Sequence, residues 1–212
     1  CDSICFSFST LANLSAPNTY LVKVWSALAT DPNTQNDTIS RSVQSIPLVS
    51  SLPYFQDFES GNGGFNASGA ASSWQFGTPS GTYINAAASG VNAWVTNLSG
   101  SYNDNENSFL NSPCLDFSGV GTDPTIRFSH IFTTESCCDE GWLEVSTNGG
   151  ANWSKVGTFG TGTNWYNDNT NIWWDGNSGS AGQWRTAEHT LTGTAGQSAV
   201  LLRWAFSSDG SV

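Results

Sequence analysis

Residues 125–147 read TIRFSHIFTTESCCDEGWLEVST. In the first half, Ile126, Phe128, His130 and Phe132 alternate with Arg127, Ser129, Ile131 and Thr133. Successive side chains of a strand point to opposite faces, so this period of two predicts a strand with one buried face. The second half, Gly141 to Thr147, is strand-like and runs into Ser146-Thr-Asn-Gly-Gly-Ala-Asn-Trp153, a turn-forming stretch. Between the two strands lie adjacent cysteines, Cys137 and Cys138, followed by two carboxylates, Asp139 and Glu140.

Working outward, similar short segments recur: SSWQFG (72–77), NAWVTN (92–97), SFLNSP (108–113), NWSKVGTF (152–159), QWRTAEHTL (183–191) and AVLLRWAFS (199–207). In the last of these Val200, Leu202, Trp204 and Phe206 hold the alternate positions. No amphipathic helix stands out. This many period-two segments predict an all-β antiparallel sandwich with one buried face per sheet. Composition agrees, because 22 Gly, 10 Trp and no Met, with only 11% charged residues, favour strands and turns over helices. With 38% hydrophobic residues the chain has enough apolar surface for a packed core.

A formal charge of −11 repels nucleic acid and anionic membranes, so neither is an expected partner. Divalent cations suit it better, since carboxylates, amides and turn carbonyls are hard oxygen ligands. No apolar run approaches the roughly 18 residues of a membrane span. The chain opens at Cys1 without an initiator Met, and with five cysteines it reads as a piece of a longer exported polypeptide.

Two parts are expected. Residues 1–48 carry strands at Leu21–Ala27 and Asp37–Ile46, with a third near Phe6–Ser9. Three strands are too few for a closed sandwich, so 1–48 reads as the C-terminal part of a domain. The stretch Ile46–Pro53, with two prolines, reads as a linker, and residues 49–212 form the main domain.

The cysteines do not read as a zinc site. There is no C-x-x-C pair, and the two histidines, His130 and His189, lack a zinc-ligand spacing. Neighbours on an extended backbone face apart and rarely serve one metal; the expected disulfide joins Cys114 to Cys137 or Cys138, because the residues between can return as the next strand. It would close a loop of roughly 25 residues. Cys1 and Cys5 pair with each other or with residues upstream. Catalytic motifs are missing: no H-E-x-x-H, no G-x-S-x-G and no phosphate-binding glycine loop. The expectation is therefore a protein that is not an enzyme. The segment Asn164–Gly176 is too long for a hairpin and carries Trp165, Tyr166, Trp173, Trp174 and Asp175. Those rings are candidates for stacking on sugar, or for capping the core.

Several stretches also resemble known families. Leu14-Ser-Ala-Pro-Asn-Thr-Tyr20 resembles the tyrosine corner of immunoglobulin and fibronectin-III sandwiches. Phe55-Gln-Asp-Phe-Glu59 with Ser-Gly-Asn-Gly-Gly-Phe65, Ser108–Pro113, Ile126–Phe132, Gly182–Arg185 and Ala199–Phe206 resemble, in that order, the strands of MAM domains. More narrowly they are similar to the MAM-like jelly rolls of large secreted Bacteroidota proteins that follow immunoglobulin-like repeats and use type IX secretion. The resemblance implies a jelly-roll sandwich whose closing strand would follow Val212. It implies a structural Ca2+ with Glu59 as best ligand and Asp57 as second, while Asp104 and Glu106 offer further oxygens. It also implies a noncatalytic adhesion or recognition module on a cell surface, binding protein or glycan partners beside its neighbouring domains. The alternatives are a carbohydrate-binding accessory module of a secreted hydrolase or protease, and a subunit of an extracellular filament. Ser146–Trp153 resembles an Asp-box with Asn148 in the Asp position, a turn that serves architecture even in sialidases.

Overall fold

The computed structural model describes residues 7, 9–14, 16–27 and 29–211. Cys1, Cys5, Phe6 and Phe8 lie outside the described residues, and so does any pairing expected of them. The chain divides into two compact units, Cys1–Pro47 and Leu48–Val212.

In the first unit β1 (Asn18–Trp25) and β2 (Thr38–Ser45) form an antiparallel ribbon running from Asn18 opposite Ser45 to Trp25 opposite Thr38. Asn33 caps a short 3-10 turn between them by accepting the Gln35 N–H. The Tyr20 hydroxyl donates to the Ala16 carbonyl over 2.8 Å, tying the entering chain to β1. Among the described residues this unit has only these two strands, and Leu21 and Trp25 are exposed at 71% and 65%.

Among the described residues the second unit contains twelve short strands. They are β3 (Leu48–Val49), β4 (Asn66–Ala70), β5 (Trp74–Gly77), β6 (Ala93–Thr96), β7 (Asn107–Asn111) and β8 (Cys114–Leu115), then β9 (Thr125–His130), β10 (Glu140–Ser146), β11 (Ser154–Lys155), β12 (Trp174–Asp175), β13 (Arg185–Thr190) and β14 (Leu201–Ser207). The largest sheet runs β11-β10-β14-β7-β4, with β12 also on β10. β9 pairs with β13 and β5 with β6, each as a two-stranded antiparallel piece. The architecture is thus the all-β, antiparallel one that the alternation predicts.

Two features depart from the sequence reading. Leu48 and Val49 are not linker but pair in parallel with Cys114 and Leu115, and the Asp116 N–H donates to the Val49 carbonyl. The prolines at 47 and 53 flank this pair and leave its hydrogen bonds intact. β14 is also buried on both faces: consecutive residues Leu201 and Leu202, and again Ala205 and Phe206, are all inside, on a strand central to its sheet between β10 and β7. β9 keeps the strict alternation, with Thr125, Arg127 and Ser129 outward and Ile126, Phe128 and His130 inward.

The core joins the β10–β14 sheet to the β9–β13 pair. Leu143, Ala187 and Val200 are fully enclosed, and Leu202, Leu191 and Val156 pack around them. The segment 164–176 folds over this core and inserts Trp165, Tyr166 and Trp174 into it.

Candidate functional site

A groove of about 560 Å3 opens beside this core. One wall comes from the end of β9 and the residues after it, including Phe128, His130 and Glu135. The other comes from Trp74 on β5 and from the loop that carries Ser101 and Tyr102. Trp142 of β10 and Trp204 to Phe206 of β14 make the floor. The volume falls within the range of small-molecule sites.

The alternation that builds β9 also places His130 on its apolar side, and its ring lies 5.7 Å from Phe128, 5.5 Å from Phe132 and 5.1 Å from Trp174. Burial, with a smaller contribution from Arg185 opposite it on β13, pushes its pKa down to about 4. The imidazole is therefore neutral near pH 7. Its Nε2 is buried without a hydrogen-bond partner, and so is Nε1 of Trp74. A buried polar atom left unpaired costs about 1–3 kcal/mol, so each is a recognisable feature of the groove.

At one end of the groove the Tyr102 hydroxyl donates to Asp139 Oδ2, and burial together with that carboxylate raises the tyrosine pKa. Asp139 is completely buried, and its Oδ1 accepts the Asp209 N–H over 2.9 Å. Carboxylate oxygens of Glu135, Asp139 and Asp209 lie within 4.8 Å of one another. Next to them, burial first and then Asp139 and Asp175 push Glu140 up to about 7. Its ordinary value is 4.5, so the folded state binds this proton more tightly than the unfolded chain. Stability on this account falls as pH rises from about 4.5 through 7 and then levels off. Glu140→Gln, which removes the titration, is expected to raise Tm relative to wild type at pH 8 but not at pH 4. Thermal melts at the two pH values check this, and an equal shift at both would refute it.

The cysteines depart from expectation. Cys137 and Cys138 are bonded to each other, with Cα atoms 3.7 Å apart. Cys114, half-buried on β8, keeps a free thiol whose pKa burial raises. Facing apart is a property of extended backbone, whereas 136–138 form a turn, where adjacent side chains can meet. The expected bridge from Cys114 to Cys137 or Cys138 is thus absent, and with it the closure of a long loop.

The expected calcium ligands are placed apart. Glu59 Oε1 accepts the N–H groups of Val91 and Asn92 over 3.0 and 2.9 Å. Asp57 accepts the Glu59 N–H, and Asp104 sits exposed in the turn before β7. Glu106 is 1% exposed, and its two oxygens accept from Ser73 N, Ser73 Oγ, Asn103 N and Ser108 Oγ. Among the described residues no three of these four carboxylates bring oxygens within 4.8 Å of one another. They do not fit a shared Ca2+ cage. Gly90 explains how Glu59 reaches its turn: φ is +61°, and a Cβ there would stand 2.4 Å from Glu59 Cδ. Gly90→Ala is expected to cost about 2 kcal/mol by combining left-handed strain with loss of the carboxylate's bonds. A urea titration checks this value.

The aromatic loop is corrected as well. Trp165, Tyr166, Trp174 and Asp175 are buried, so they are not a sugar-stacking surface. The Trp165 ring nitrogen donates to the Val156 carbonyl, the Tyr166 hydroxyl bonds to the backbone of Leu143, and Asp175 accepts from Asn167. Only Trp173 stays half-exposed, beside Trp142 with the Lys155 ammonium 5.4 Å from its ring centre. Long aromatic side chains yield more by filling space under a loop than by facing water. The Asp-box-like turn is held by Ser146 Oγ, which accepts the Gly150 N–H, and by Asn148 Oδ1, which accepts the Asn152 N–H. Its Trp153 stacks on the Arg203 guanidinium, 4.1 Å away. Arg203 is further held by Phe109 and by an ion pair with Glu144.

Trp74, Tyr102 and His130 did not stand out as site residues in the sequence. The available signal was a histidine between two phenylalanines on the apolar face of β9, an uncharged polar group where a hydrocarbon would pack.

No family model matches this chain. Its sequence is similar to a segment of Bacillopeptidase F from Bacillus subtilis (strain 168), with 33% identity over 139 residues. The match takes in 65% of this chain and 9% of that protein, so the chain spans less than a tenth of the relative's length.

Proposed function

We propose that this chain is a noncatalytic recognition module of a larger exported protein, an accessory unit that brings its parent to a target on a cell or matrix surface. The groove carries this reading. It is concave and aromatic, and Trp74 and His130 in its lining carry buried ring nitrogens without hydrogen-bond partners. Such a site is arranged to hold a ligand rather than to transform one. The similarity to a small segment of a much longer peptidase by name favours the accessory form of the reading over a purely adhesive repeat.

A fusion of the 212-residue chain to a fluorescent protein tests it. Saturable retention is expected on at least one of peptidoglycan sacculi, cellulose, chitin or matrix-coated plates. Retention of no more label than the fluorescent protein alone shows, on every surface, refutes the reading.

A further inference from the structure

We infer that the groove between Trp74 and His130 takes a neutral carbohydrate, with the two ring nitrogens hydrogen-bonding its hydroxyls. The inference rests on the recognition reading and names its ligand class. The Trp74 indole N–H can only donate, so the ligand must present an acceptor there. A neutral imidazole nitrogen donates or accepts according to tautomer, and a hydroxyl answers either. A purely hydrocarbon ligand would leave both of these lining residues' ring nitrogens unpaired, whereas a ligand with hydroxyls can pair them.

Charge narrows the class further. Glu135 is the only formally charged lining residue, it stands exposed at the rim, and no Lys or Arg lines the groove. An anionic ligand would meet no counter-charge and would approach Glu135 and the nearby Asp139 and Asp209 carboxylates. What remains is a neutral molecule with hydroxyls on its edges and C–H groups on its faces. The indoles of Trp142 and Trp204 supply the apolar floor such faces need, and Thr96, Ser101 and Thr134 add hydroxyls around the mouth. An extended peptide is the main competitor, because β9 pairs with β13 alone among the described strands. A peptide would add to that edge through main-chain bonds and would not depend on the two ring nitrogens.

The intact chain is screened on an array of neutral oligosaccharides (β-glucan, xylan, mannan, α-glucan and N-acetylglucosamine series), with calorimetry on any hit. Trp74→Phe removes the indole nitrogen and His130→Phe removes both imidazole nitrogens, Nε2 among them, and each keeps a ring. Ser101→Trp leaves both nitrogens and places bulk at an exposed position of the mouth. Binding to a neutral series is expected, with affinity at least tenfold weaker in all three variants. The two ring variants should melt no lower than wild type, since they remove polar atoms that lack partners in the unbound protein. Absence of binding to every series overturns the inference, as does affinity unchanged in the ring variants. Selection of an extended peptide that binds all ring variants equally also overturns it. If the fluorescent fusion is retained on a surface and no neutral sugar displaces it, the carbohydrate inference fails while the recognition reading stands. If it is retained nowhere, the recognition reading itself fails.

Discussion

Glu106→Ala is expected to destabilise the second unit by about 3–5 kcal/mol. The glutamate is 1% exposed, and it ties together segments distant in sequence. Oε1 accepts the Ser73 N–H over 2.8 Å and the Ser108 hydroxyl, while Oε2 accepts the Ser73 hydroxyl over 2.6 Å and the Asn103 N–H over 3.2 Å. Its own backbone exchanges bonds with Ser208 just after β14, and the Ser208 hydroxyl reaches the Asn103 carbonyl. Alanine would strand four donors, three of them on the buried Ser73 and Ser108. Glu106→Gln keeps the shape and one acceptor but turns an NH2 toward donors, so an intermediate loss is expected. Urea unfolding followed by tryptophan fluorescence measures both variants. A loss below about 1 kcal/mol for the alanine variant would show that the network is dispensable.

Trp165→Ala is expected to cost about 3–5 kcal/mol, the range of large aromatic deletions in cores. The ring is 5% exposed and packs within 5.2 Å of Trp174, 5.6 Å of Tyr166 and 5.8 Å of Phe128, centroid to centroid. Its removal leaves a cavity and also orphans the Val156 carbonyl, which the indole N–H now satisfies over 2.9 Å. Trp173→Ala, eight residues on and half-exposed, is expected to cost about 1 kcal/mol. The contrast separates packing from surface display within one loop. Equal effects of the two substitutions would show that the loop does not cap the core as described.

These two positions also mark what could be read in advance. The alternation Ile126, Phe128, His130 announces β9 because one apolar layer lies against it and water lies on the other side, which is the condition under which period two is visible. β14 shows how that signal weakens. Covered on both faces, it buries Leu201 and Ala205 as well as Leu202 and Phe206, so alternation no longer reports which side is inward. The Trp-rich loop was legible as important but ambiguous, since a stacking platform and a core lid use the same residue types.

The sequence by itself determined the all-β class, the antiparallel pairing, the turn at Ser146–Trp153 and the one-sided burial of β9. All of these follow from neighbours in the chain, through pleat periodicity and turn chemistry. Tertiary structure alone decided the rest. It set Leu48 and Val49 beside Cys114 and Leu115, turned Glu106 into a buried acceptor of four donors, and brought Trp74 and His130 to one groove. It also joined the adjacent cysteines of the opening stretch to each other, because a turn at 136–138 cancels the outward divergence that an extended strand would impose. Each of these depends on partners dozens of residues away or on a local break in regular backbone. No periodicity in the sequence encodes either one.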